Sequence, residues 1–324
     1  MTDWKLFEDI LSVDSTTGRE AALSQLLWER LEAPRRERFP VGDGTENLLL
    51  SWGTPRLVFC THMDTVPPYI PPRFTEDAVY GRGACDAKGQ ILAMYTACRR
   101  LEAEGLDGFA LLLVSGEETG SWGAKAFTRV GRGAPFLLIG EPTEGKMVSA
   151  AKGTLSYDLE FIGEPFHSGY PQYGVSAVTL FNKFCRELEE VDFGSDPILG
   201  ATTWNIGELR SDNPQNVLSA RLSCRIYFRT TFVSEAAVKE WMASRADVRA
   251  TLRGGDTPRH YVALEGFPSA PVAFGSDAPH LEPFPHKMIC GPGSIKVAHR
   301  DDEFILKSEI QAAVEQYIKI FKSL

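Results

Sequence analysis

The 324-residue chain lacks several features that would have settled its class at once. None of its six cysteines, Cys60, Cys85, Cys98, Cys185, Cys224 and Cys290, forms a C-x-x-C pair, so neither a zinc ribbon nor a thioredoxin-type redox motif is present. They read as reduced core residues, with Cys85, beside Asp86, the thiol best placed to respond to oxidation or to bind a soft metal. No apolar run is long enough to span a bilayer, and the opening stretch MTDWKLFEDILSVDS is acidic, without a secretory apolar core; a cytoplasmic location is expected. Basic runs are missing too. With 43 acidic against 34 basic residues the net charge is −9, which argues against nucleic acid and anionic membrane as partners. There is no internal repeat, no low-complexity tract, and no G-x-G-x-x-G turn after the first buried strand, so a nucleotide-dependent oxidoreductase is set aside.

What is present is a repeated local design. Three apolar, strand-forming runs break abruptly into metal-type ligands: LVFCTHMD (57–64), LLLVSGEE (111–118) and FLLIGEP (136–142). Runs of this kind are buried parallel strands of an α/β sheet, and ligands bind in the crevice beyond their carboxyl ends. The polar tips should therefore converge, with Asp86 arriving from the loop between the first two strands. An imidazole and several carboxylates in one crevice suit Zn²⁺ or a similar divalent ion. Taken singly, each piece has a plainer use: His62 as a hydrogen-bonded structural residue, Asp86 as a helix N-cap, Glu117 and Glu118 as solvated strand-end carboxylates, and Glu141 as turn chemistry before Pro142. A shared site explains all of them together.

The chain is long enough for two domains. Up to about residue 150, helical patterns at 4–13 and 20–31 alternate with buried strands. From Lys152 the order reads strand, helix, strand, strand, helix, strand, a ferredoxin-like βαββαβ unit. After residue 265 the first style returns, with short strands near PVAFGSD and KMICGPGS and a closing amphipathic helix. The expected architecture is an α/β domain of residues 1–151 and 265–324, interrupted by an inserted domain of residues 152–264.

The ordered strings HMDTVPP, GRGACDAKGQ, GEETGSWGAKAF, GEPTEG, FHSGYPQYGVSAV, NVLSARLSCRIYFR, GSDAPH and GPGSIKVAHRDDEFI resemble the co-catalytic dizinc amidohydrolase and exopeptidase family. That family includes acetylornithine deacetylase, succinyl-diaminopimelate desuccinylase, aminoacylase and carboxypeptidase G. The resemblance spans nearly the whole chain and implies a zinc-exopeptidase-like catalytic domain with a lid that usually dimerises. It implies two Zn²⁺ ions, replaceable by Co²⁺ or Mn²⁺, bridged by Asp86, with His62 and Glu141 completing one ligand set and Glu118 and His299 the other. Asp64 would orient His62, and Glu117 would be the general base for a water bridging the ions. His167 would reach across a homodimer interface to the tetrahedral intermediate. Asn216 and Arg229 would bind substrate, and Gly291 and Gly293 would give it donors or clearance. The expected reaction is cleavage of an N-acyl amino acid of deacetylase or desuccinylase type, as in amino-acid biosynthesis. A dipeptidase or carboxypeptidase, and a non-catalytic metal-dependent binding protein, are the alternatives. Two departures stand out: a compressed loop after HMDTVPP, and Ala87 where the family usually has methionine after the bridging aspartate. The peptide at Asp86-Ala87 is expected to be cis, as in the relatives.

Overall fold

In the computed structural model, which describes residues 2–42 and 44–324, the chain forms two compact units. The first comprises residues 1–149, 261–270 and 276–324, and the second residues 150–260 and 271–275.

The first unit is built on a six-stranded sheet whose order is Arg35–Gly42, Thr45–Trp52, Phe109–Val114, Leu57–His62, Phe136–Ile139 and His286–Ile289. Its last four strands run parallel, and every residue of Leu57–His62 and Phe109–Val114 is buried, as both faces of a parallel sheet require. Helices Lys88–Ala103, Lys307–Ser323 and Trp4–Leu11 contribute to the core over the sheet. Their contacts are specific: Tyr317 meets Phe59 with ring centres 5.9 Å apart, and Phe321 meets Phe109 edge-on at 5.3 Å. The antiparallel edge was not legible beforehand. RRERFPVG carries three arginines and a proline, a composition that guards an exposed edge rather than one that signals a strand.

The second unit follows the order strand Gly153–Ile162, helix Ala177–Glu190, strands Thr203–Arg210 and Arg221–Thr230, helix Glu235–Ala243 and strand Arg249–Gly254. All pairings are antiparallel, with Arg221–Thr230 and Gly153–Ile162 at the centre. The central strands alternate in burial, Arg221–Thr230 throughout and Gly153–Ile162 from Leu155 onward. One face carries Leu155, Tyr157, Leu159, Phe161, Leu222, Cys224, Ile226 and Phe228 into a core that includes Phe184 and Val238 from the two helices. The opposite face is laced with ion pairs such as Arg225 with Asp158.

Candidate metal centre

Three of the four parallel strands end where an apolar run gives way to a functional group. His62 is the last residue of its strand, Glu117 and Glu118 follow Phe109–Val114, and Glu141 follows Phe136–Ile139. Asp86 does not cap the helix Lys88–Ala103, whose N-cap position is Ala87. The Asp86-Ala87 peptide is cis, as expected.

Four of the five residues expected as ligands, His62, Asp86, Glu118 and His299, lie together. Nε2 of His62 lies 3.0 Å from Oδ1 of Asp86, while Nε2 of His299 lies 3.4 Å from Oδ2 of Asp86 and 3.1 Å from Oε1 of Glu118. Ligand atoms of His62, Asp86 and Glu118 all fall within 4.8 Å of one another. His299 reaches them from a left-handed backbone conformation, φ 65°, uncommon for a residue with a side chain. The Nδ1 of His62 is 2.9 Å from the carbonyl oxygen of Asp64, so an N–H there leaves the Nε2 lone pair facing the cluster. Here the structure refines the reading of Asp64, whose main chain makes the closer contact. Its carboxylate is 3.5 Å from Nδ1 and instead accepts the backbone N–H groups of Glu117 at 3.0 Å and Glu118 at 3.1 Å, and the Thr17 hydroxyl at 2.8 Å. Thr17 carried no signal of its own in the sequence.

Electrostatics mark this place as short of positive charge. Burial drives the Glu117 carboxyl well above the usual range; His62 opposes the shift, and the carboxylates of Asp277, Glu118 and Asp86 add to it. Glu141 is likewise pushed up, by burial and then by Asp86 and Glu117. Asp277 rises to about 6, mainly through burial, and its Oδ1 has no hydrogen-bond partner among the described residues. Burial opposes a charged His62, yet the carboxylates of Asp64 and Asp86 prevail and raise it; Asp86 and Glu118 carry His299 up to about 10. Carboxylates with raised affinity for protons, and imidazoles packed against them, form a donor set of nitrogen and oxygen that fits divalent cations.

Asp277 lies in the string GSDAPH, which carries part of the resemblance but no assigned role, and Glu303 carried no signal of its own. Glu303, buried, accepts the N–H groups of Cys85 at 3.0 Å and Asp86 at 3.1 Å, and takes a 2.6 Å bond from Arg82. Nothing in the string HRDDEF separates this glutamate from its acidic neighbours. Gly291 and Gly293 are tightly packed: a Cβ on Gly291 would meet Oε1 of Gln90 at 2.2 Å, and one on Gly293 would meet Sγ of Cys85 at 2.5 Å. Cys85 itself is buried and burial holds its thiol well above the ordinary value, so it lacks the exposure and thiolate character of a redox sensor.

The remaining candidates belong to the second unit. His167 and Asn216 are neighbours there, because segment 166–168 pairs with 216–218: Ser168 donates to the Asn216 carbonyl at 2.9 Å and Leu218 to that of Phe166 at 2.8 Å. Arg229 lies over the Tyr227 ring, 4.8 Å from its centre.

A family model described as Peptidase family M20/M25/M40 matches residues 58–323. The chain is 28% identical to a peptidase M20 domain-containing protein of Schizosaccharomyces pombe, over 96% of this chain and 82% of that one. It is 31% identical to a probable carboxypeptidase of Aspergillus clavatus, over 97% of this chain and 81% of the relative. Among solved structures, a tripeptidase from Staphylococcus aureus superposes with a TM-score of 0.80 at 21% identity, covering 98% and 96% of the two chains. An M20 family metallo-carboxypeptidase from Sulfolobus solfataricus gives 0.74 at 14% identity, covering 98% and 97%. The mixed α/β fold is shared with both.

Proposed function

Because the chain belongs to peptidase family M20/M25/M40 and is thus a hydrolase of amide or peptide bonds, we propose that it is a dizinc exopeptidase that removes the terminal residue of short peptides. The observation that carries this reading is the division of Asp86, one oxygen beside His62 and the other beside His299 and Glu118. His62, Asp86 and Glu141 would hold one Zn²⁺, and Asp86, Glu118 and His299 the other, with Co²⁺ or Mn²⁺ as substitutes. Cations bound there supply Lewis acidity toward the scissile carbonyl and the attacking water. Glu117 takes a proton from that water at its carboxylate and delivers it to the departing amine. Asp64 holds the main chain of Glu117 in place, and Asp277 adds negative charge to the same pocket.

In the second unit, Arg229 has no carboxylate partner among the described residues, and with Asn216 it would hold the substrate's carboxylate. We assign that unit the roles of lid and of contact in a homodimer, to which His167 would contribute across the interface. Phe166, Tyr170 and Tyr173 lie exposed beside it, a patch of the kind that subunit contacts cover. Six free cysteines support a reducing, cytoplasmic setting, and no helix among the described residues is long and apolar enough to cross a membrane.

A second reading keeps the same site and changes the leaving side: an N-acetyl or N-succinyl amino acid would present the same carboxylate to Arg229. A panel of dipeptides, tripeptides, and N-acetyl and N-succinyl amino acids, assayed with each metal, separates them. Preference for peptides supports the exopeptidase, and preference for N-acyl amino acids the deacylase. Glu117→Gln should retain bound metal and lose roughly 10²–10⁴-fold in turnover. Near-normal turnover would overturn the assignment of the base. Mixed Glu117→Gln and His167→Ala subunits should regain activity after exchange, and an inactive mixture with exchange demonstrated would refute the shared site.

A further inference from the structure

We infer that Arg82 and Glu303 form a positioning pair that fixes Asp86 relative to His299; the inference rests on the metal-centre reading above. Glu303 is the hub. Its Oε1 accepts two consecutive backbone N–H groups, Cys85 at 3.0 Å and Asp86 at 3.1 Å, so the main chain that presents the proposed bridging carboxylate hangs from one oxygen. Its Oε2 accepts from Nη1 of Arg82 at 2.6 Å, and that same nitrogen donates to the carbonyl of Arg300 at 3.0 Å, the residue following His299. Nε of Arg82 binds the carbonyl of Pro68 at 3.2 Å, and the Gly81 N–H returns to the carbonyl of Glu303 at 3.0 Å. The loop from Pro68 to Asp86 and the distant segment around His299 thus meet on one guanidinium and one carboxylate.

Stability is a poor explanation for this arrangement. Both side chains are essentially sealed from solvent, at 1% and 0% exposure, and Nη2 of Arg82 is buried with no hydrogen-bond partner among the described residues. Buried ion pairs are commonly matched or bettered by apolar residues of similar volume, and an orphaned donor adds to the cost. What apolar residues cannot do is hold two amides and two carbonyls at set distances. Groups standing one step behind the ligands govern how well a metal is held. The pair acts on Asp86 through its backbone and on His299 through the neighbouring carbonyl, and touches neither metal nor substrate.

The test uses the whole chain and Co²⁺ as probe. Arg82→Lys keeps the charge but cannot reach Glu303, Pro68 and Arg300 together; Glu303→Gln keeps an oxygen for the two amides but turns an amide donor against Arg82. Each folded variant should bind Co²⁺ 10–100-fold more weakly and show an altered visible absorption band, both read at a temperature where the metal-free variant is fully folded. Wild-type isotherms and spectra in folded variants would overturn the inference. So would failure of both variants to fold, since the pair would then serve the fold. If the unaltered protein binds no divalent ion, it is the metal-centre reading that fails instead.

Discussion

Asp64 holds Glu117 through the main chain, its Oδ1 accepting the Glu117 N–H at 3.0 Å while its own carbonyl, 2.9 Å from Nδ1, fixes the ring of His62. One residue therefore orients both a proposed ligand and the proposed base. Replacing it by alanine leaves the Glu117 and Glu118 amides and the Thr17 hydroxyl without their acceptor, at about 1–3 kcal/mol for each buried donor. Asp64→Asn is the milder change, with one oxygen in place of two. It should lower kcat/KM and metal affinity by roughly 10–100-fold while the protein stays folded. Calorimetric metal titration beside steady-state kinetics measures both, and unchanged values would remove Asp64 from the site.

Asp277 gives a pH signature. Burial raises its carboxyl to about 6, above the ordinary 3.8, so the folded state binds this proton more tightly than the unfolded one. The charged form therefore subtracts stability above pH 6, and the penalty is relieved as pH falls toward 3.8. In metal-stripped protein, Asp277→Asn should add about 1–3 kcal/mol at pH 7.5 and almost nothing at pH 4. Thermal melts at the two values decide the matter; an equal gain at both would mean that the charge is not the cause.

Gly293 has φ 79°, and a methyl group there would sit 2.5 Å from Sγ of Cys85, next to Asp86. Gly293→Ala should cost about 1–3 kcal/mol, combining backbone strain with overpacking. Cys85→Ala in the same molecule should recover part of that loss, because it removes the collision and leaves only the strain. Urea melts of the two single variants and the double variant test this. A change in KM with stability untouched would instead support Gly293 as clearance for substrate.

The parallel strands were readable because their apolar runs are unbroken and their tips chemically abrupt: Leu57–His62, Phe109–Val114 and Phe136–Ile139 lie where those runs put them. The second unit's helices and strands were marked instead by period, as in Ala177–Glu190 and Arg221–Thr230. Arg35–Gly42 escaped because its pairing comes from Thr45–Trp52 rather than from its own pattern. Within the site, residue type at the strand tips and in the intervening loop pointed to His62, Asp86 and Glu118, whereas His299 came only from the family resemblance; the structure brings the four together. Residue type could not identify Arg82 and Glu303, whose meaning lies in a contact spanning 221 positions and in backbone amides that carry no letter of their own. Asp64 shows the same limit, since the split between its carbonyl and its carboxylate is a matter of geometry alone.

The strand-tip acids are contributed before residue 150, whereas His299 and Glu303 follow the second unit in the chain. A ribosome making this polypeptide must translate that unit before either is added. The first unit is itself discontinuous, so the proposed centre and the sheet that carries it both wait for the last part of the chain to be made.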